Sequence, residues 1–196
     1  MSIARHKVNQ SSALACTGNN ARGVCLEACR RWVRAVLAGH LTPGETIYDI
    51  IGPETIQELL ESHRQRNKKS DNSMEGFGLT VTRREGGGPF KKFTGLRTRQ
   101  DVIDHVLAVP GAYIYVVDGS DGGHALAFSS LDRGHVLFLD PNLGEWELIN
   151  EDQASIRSWW KDFWAGKASE FKGLVSYKKE YHKGGRELWQ YKVVTL

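Results

Sequence analysis

The chain's pattern predicts an α+β fold: one amphipathic helix near the N-terminus, packed against an antiparallel sheet formed later in the sequence. Three observations carry that expectation. Apolar residues recur at helical spacing between Cys25 and Ala38. Short apolar runs of strand type crowd between residues 112 and 149. Gly-rich segments of hairpin type separate those runs, which suits a meander.

Taken in order, residues 1–20 are polar, with Ser11, Ser12, Asn19 and Asn20 prominent. A flexible segment is expected over 1–16, ahead of a single domain spanning 17–196. The first helix places Cys25, Ala28, Cys29, Trp32, Val33, Val36 and Leu37 on one face. Glu27, Arg30, Arg31 and Arg34 fall on the other, predicting a half-buried helix with a solvated charged side. Gly39 is placed to stop it. An apolar stretch at Ile47–Ile51 follows, then a second helix from Pro53 to about His63, since proline suits a first helical position. His63 to Ser73 is a charged loop, and Gly86-Gly87-Gly88-Pro89 a turn between two extended pieces.

Thr98-Arg99-Gln100-Asp101 has the form of a capping box opening a helix that runs to about Ala108. Strands are expected at Ala112–Val117, His124–Ser129, His135–Leu139 and Glu145–Ile149. Asn150 is placed to cap a helix that Gly166 closes. That helix carries Trp159, Trp160, Phe163 and Trp164, whose spacing makes a buried stripe rather than a binding surface. Leu174–Tyr181 and Leu188–Val194 form a final hairpin pattern around Gly184-Gly185. There is no internal repeat.

Bulk properties narrow the function classes. At 196 residues, 40% hydrophobic and 25% charged, the composition is that of a globular domain with a substantial core. Lys+Arg 26 against Asp+Glu 23 leaves a net charge of +3, too balanced for nucleic-acid binding. The basic run Arg64, Arg66, Lys68, Lys69 is accordingly read as a solvated loop. Cys16, Cys25 and Cys29 are an odd number, which suits a reducing compartment and no disulfide framework. No apolar run is long enough for stable membrane insertion, and the N-terminus lacks a Sec-type apolar core, so any export is expected by another route.

The chemistry centres on Cys25. A cysteine at a helix N-terminus meets unpaired backbone N–H groups and the positive end of the helix dipole, which favour a thiolate. A paired imidazole must still draw off its proton. His124, at a strand start after Gly122-Gly123, is the candidate base. Asp140, at the end of the next strand, lies beside it in an antiparallel pair and can hold its other N–H. Asn20, or failing that Asn19, sits in the loop before the cysteine, where a carboxamide can join the Cys25 N–H as an oxyanion donor. Together these predict a cysteine hydrolase.

Each residue also has a plainer reading. Cys29, one turn on, faces the core with Trp32, and Cys16 is incidental. His124 can be a core histidine, with His135 its nearest rival, and Asp140 before Pro141 can be a turn residue that caps its own backbone. Asp118 and Asp121 faintly echo a calcium loop, but Ser129 stands where a glutamate is needed, so no metal is expected.

Three blocks carry a resemblance. Gly23-Val24-Cys25-Leu26-Glu27-Ala28-Cys29-Arg30-Arg31-Trp32, Gly123-His124-Ala125-Leu126-Ala127-Phe128 and Phe138-Leu139-Asp140-Pro141-Asn142 resemble the YopT/AvrPphB cysteine proteases, a papain-like branch of bacterial effectors. The likeness runs over roughly residues 17 to 194. It implies a papain-like fold, Cys25 as nucleophile, His124 as base, Asp140 as orienter and Asn20 as oxyanion donor, with no cofactor. It further implies a host protein as substrate, a small GTPase or a kinase, and delivery into the host cytoplasm. One departure is that only 24 residues precede Cys25, where better-known members carry long extensions. The same triad also suits a host-directed deamidase or transglutaminase, and the scaffold a non-catalytic interaction module. Loops 63–73 and 83–93 are the expected substrate-facing segments.

Overall fold

The computed structural model describes residues 2–6, 24–39, 57–62, 64–65, 80–82, 92–94, 97–118, 124–131, 135–149, 152–165 and 187–195. Among these residues the helices are α1 (Cys25–Leu37), α2 (Arg97–Ala108) and α3 (Gln153–Ala165). The strands among them are β1 (Ser2–His6), β2 (Thr80–Thr82), β3 (Lys92–Thr94), β4 (Ala112–Asp118), β5 (His124–Ser129), β6 (His135–Asp140), β7 (Gly144–Ile149) and β8 (Glu187–Thr195). A further helical piece covers residues 57–62.

The strands form one sheet in the order β1-β7-β6-β5-β4-β8-β2, with β3 also on β8, and every pairing is antiparallel. The central meander β4-β5-β6-β7 follows chain order, as hairpin connections dictate. The α+β expectation is met, with the N-terminal helix lying on an antiparallel sheet.

Both faces of the sheet are covered, and side-chain alternation sorts them. Tyr113, Tyr115, Leu126, Phe128, Val136, Phe138, Trp146 and Leu148 point to one side, under Val102, Ile103 and Val106 of α2 and Ile156, Trp160, Phe163 and Trp164 of α3. Phe138 stands at the centre of that aromatic layer, with ring contacts to Phe128, Trp146, Trp160 and Phe163 at centroid separations of 4.7 to 5.6 Å. The aromatic stripe of α3 is therefore core. On the opposite side Ala112, Ile114, Ala125, Ala127 and Leu139 receive Cys25, Leu26, Cys29, Trp32 and Val33 of α1. Three of those five sheet residues are alanines, which lets α1 lie close on the sheet and sets its first turn against the start of β5.

Several expectations are corrected. The start of the chain is not loose throughout: Ser2–His6 pairs with β7 as β1 and satisfies the open backbone edge of that strand. Helix α2 begins at Arg97, so Thr98 lies within its first turn rather than capping it. Helix α3 is capped by Asp152, not Asn150: the Ser155 N–H donates to Asp152 Oδ1 at 2.8 Å and the Ser155 hydroxyl to Oδ2 at 3.1 Å. These bonds hold the Asp152 carboxyl below its ordinary range. Strand β8 lies between β4 and β2, so the Leu188–Val194 segment belongs to the main sheet. The expected partner arm at Leu174–Tyr181 lies outside the described residues, as do Ile47–Ile51 and Cys16.

Helix α1 ends as expected, with Gly39 at φ +69° and its N–H donating to the Val36 carbonyl at 3.1 Å. Its charged side, however, is not wholly solvated. Glu27 and Arg30 are buried and approach each other to 3.8 Å, while Arg34 is exposed. Trp32, fully buried, donates its indole N–H to Glu145 Oε1 on β7 at 3.0 Å. Trp32→Phe removes that donor from a buried carboxylate and is expected to cost about 1–3 kcal/mol. Denaturant unfolding of the two proteins measures it.

Candidate active site

Three elements converge at one end of the sheet. Cys25 is the first residue of α1, buried at 6% exposure, with a free thiol. The residue before it, Val24, has no side-chain oxygen to cap the helix, so the first-turn N–H groups receive no cap from it. His124 is the first residue of β5, opposite Val117 of β4. Asp140 is the last residue of β6 and is fully buried.

The register explains how the last two meet. Ala127 pairs with Leu139, Phe128 with Phe138 and Ser129 with Leu137. Carried one step further, this register sets residue 126 against Asp140. His124 and Asp140 therefore stand at the ends of neighbouring strands, two positions out of register, within reach of each other's side chains. His124 Nε2 lies 3.0 Å from Asp140 Oδ1, and both side chains are buried, at 2% and 0% exposure.

The Asp-Pro-Asn sequence holds the carboxylate in turn. Leu143 N–H donates to the Asp140 carbonyl at 3.1 Å, closing a turn with Pro141 at its second position. The Asn142 N–H donates to Asp140 Oδ1 at 2.8 Å. Asp140 thus both caps its own turn and bonds His124, so the two readings of this residue hold together. Beyond Leu143 the chain enters β7 through Gly144 at φ +148°, a conformation that favours glycine.

Cys25 completes the arrangement: its side chain stands close enough to the His124 ring to help raise the ring's pKa. Burial lowers the His124 pKa. The Asp140 charge and hydrogen bond raise it, the Cys25 bond and charge add to that, and together they prevail at about 10. The imidazolium is thereby held beside sulfur across the neutral range. With Nε2–H donating to Asp140, Nδ1 is the nitrogen left for the thiol proton.

The structure brings together Cys25, His124 and Asp140. Asn20 and Asn19 lie outside the described residues, as do Gly122-Gly123, Asp121 and most of the loops at 63–73 and 83–93. Cys29 is buried among core residues; burial pushes its thiol well up, with Cys25, Asp140 and Glu27 adding and Arg30 opposing. It stays a neutral core thiol. His135, the rival histidine, pairs with Glu147 at 2.5 Å on β7. Among the described residues no cluster of His, Cys, Asp or Glu has the form of a metal site, and no helix is long and apolar enough to cross a membrane.

Two polar features were not singled out from the sequence. Asn142 meets His124 with Nδ2 3.5 Å from Nδ1, although it stands in the Asp-Pro-Asn block. Glu145 lies buried beneath α1. Its place in the pattern Glu145-Trp146-Glu147-Leu148 reads as a solvent-facing position.

Comparison with known proteins bears on the fold and the family. The fold matches the crystal structure of the Pseudomonas avirulence protein AvrPphB with a TM-score of 0.54, over 90% of this chain and 94% of that one, at 16% identity. The papain-like architecture that the resemblance implied is thereby shown. No curated protein matches the sequence. The family model Peptidase_C58, described as Yersinia/Haemophilus virulence surface antigen, matches residues 2–177, and with so much of its length covered this chain belongs to that peptidase family.

Proposed function

We propose that the protein is a thiol protease that cleaves a host protein, with Cys25 as nucleophile, His124 as general base and then acid, and Asp140 as orienter. The observation that carries this reading is His124 held between the Asp140 carboxylate and the Cys25 side chain.

The Cys25 thiolate, paired with the His124 imidazolium, attacks the scissile carbonyl carbon and forms the S–C bond. The carbonyl electron pair moves onto oxygen. The N–H of Cys25, at the head of α1, and the carboxamide of Asn20 receive that charge. As the C–N bond breaks, His124 Nδ1 gives its proton to the leaving amine. Water, deprotonated by the now neutral ring, then attacks the thioester and frees the acid and the thiolate. No step calls for a metal or an organic cofactor. Family membership supports an effector role, in which the protein acts in the host cytoplasm. Small GTPases and protein kinases are the first substrates to examine.

The test is to treat host-cell lysate with wild type and with Cys25→Ala and compare new protein N-termini by mass spectrometry. Termini that appear with wild type alone support the protease. Glutamines converted to glutamates without chain cleavage would assign the site to a deamidase instead. Lysates identical in both respects would leave a non-catalytic module.

A further inference from the structure

Resting on the cysteine–histidine reading above, we propose that Asn142 is a positioning residue for His124, meeting the ring at Nδ1 while Asp140 holds it at Nε2. A single short turn carries both contacts. The backbone N–H of Asn142 donates to Asp140 Oδ1 at 2.8 Å, and its side-chain Nδ2 lies 3.5 Å from His124 Nδ1. Pro141, between the two residues, fixes one backbone dihedral, and the Leu143 N–H closes the turn on the Asp140 carbonyl at 3.1 Å. Asn142 is half-buried, so its carboxamide is shielded in part from competing water.

The chemistry of the two contacts is opposite in sign. Asp140 accepts from Nε2–H and favours the protonated ring. An amide N–H aimed at Nδ1 finds a lone pair only when the ring is neutral; on the imidazolium it meets another N–H. Asn142 therefore favours release of the Nδ1 proton, the step that delivers it to the leaving amine. The other groups acting there are Asp140 at the end of β6 and Cys25 on α1. Cys29, Glu27 and Arg30 lie farther along α1, and Glu145 lies on β7. Strand β5 adds no second titratable side chain.

The experiment measures alkylation of Cys25 by iodoacetamide as a function of pH, followed on the Cys25 peptide by mass spectrometry. It needs no substrate. The rate changes as His124 loses its proton, and Asn142→Ala should move that inflection upward by about half a pH unit, the worth of one weak hydrogen bond. Asn142→Leu keeps the side-chain volume and should give the same shift, so it decides the matter if the alanine variant folds poorly. A merely structural role predicts a uniform change in rate with the inflection in place. An inflection that stays put, or moves down, overturns the proposal. Failure of the underlying reading looks different: the wild-type profile would then be unchanged by His124→Ala.

Discussion

Cys25→Ala is expected to reduce cleavage by roughly ten-thousand-fold or more in kcat, the scale on which loss of a nucleophile is felt when the remaining groups act as a unit. Among the described residues nothing nearby can substitute for that sulfur. Cys29 is a turn away on the same helix, but it is fully buried, and its thiol is held neutral by burial and by the negative charges around it. The fold should survive, because alanine suits a helix start and replaces a small side chain. Melting temperature should therefore move little while kcat collapses, and measuring both separates chemistry from stability. His124→Ala should fall to a similar level. Cleavage by Cys25→Ala at the wild-type rate would remove the basis of the mechanism.

Asp140→Asn carries the second large effect, a loss of roughly a thousand- to ten-thousand-fold in kcat. One carboxylate oxygen receives both His124 Nε2–H and the Asn142 N–H, so the substitution disturbs the ring and the turn together. With the Asp140 charge gone, burial, already the largest single influence on His124, loses its main opponent and favours the neutral ring. The ion pair proposed for Cys25 and His124 would then lose its cation near neutrality.

The pH dependence of stability has a definite sign. The His124 pKa is about 10 in the folded protein, against an ordinary 6.5. A raised value means that stabilisation is fully present below 6.5 and is lost as pH rises through about 10. The stability difference between wild type and Asp140→Asn should accordingly be widest below pH 6.5 and shrink towards pH 10. Denaturant unfolding at the two ends of that range checks it, and a constant difference would count against the His124–Asp140 pairing.

The strands of the central meander are legible because each is a short apolar run bounded by turn residues. Helix α1 is legible from its 3.6-residue period and its glycine stop. The charged residues of α1 mislead, because periodicity reports which side is apolar and not what covers the other side. Glu27 and Arg30 can be buried because each offsets the other's charge. Glu145 misleads for a related reason. Alternation marks a solvent face only where a sheet is half open, and α1 closes that face here. The cap at Asp152 and the first residue of α2 differ by small steps, as helix ends do, because several polar residues compete to cap.

The sequence by itself determined the residue types and their order: a thiol at a helix start, an imidazole at a strand start and a carboxylate at the next strand's end. Local periodicity and turn chemistry act over a few residues, so they also settled the central helices and strands, but not Ser2–His6, whose pairing with β7 is long-range. Only the tertiary structure decided that Cys25 reaches His124, that Asn142 shares the ring with Asp140, and that Glu27, Arg30 and Glu145 are buried. Those facts depend on how closely α1 lies on Ala112, Ala125 and Ala127 and on the β5–β6 register, contacts between residues far apart in the chain that no local pattern encodes.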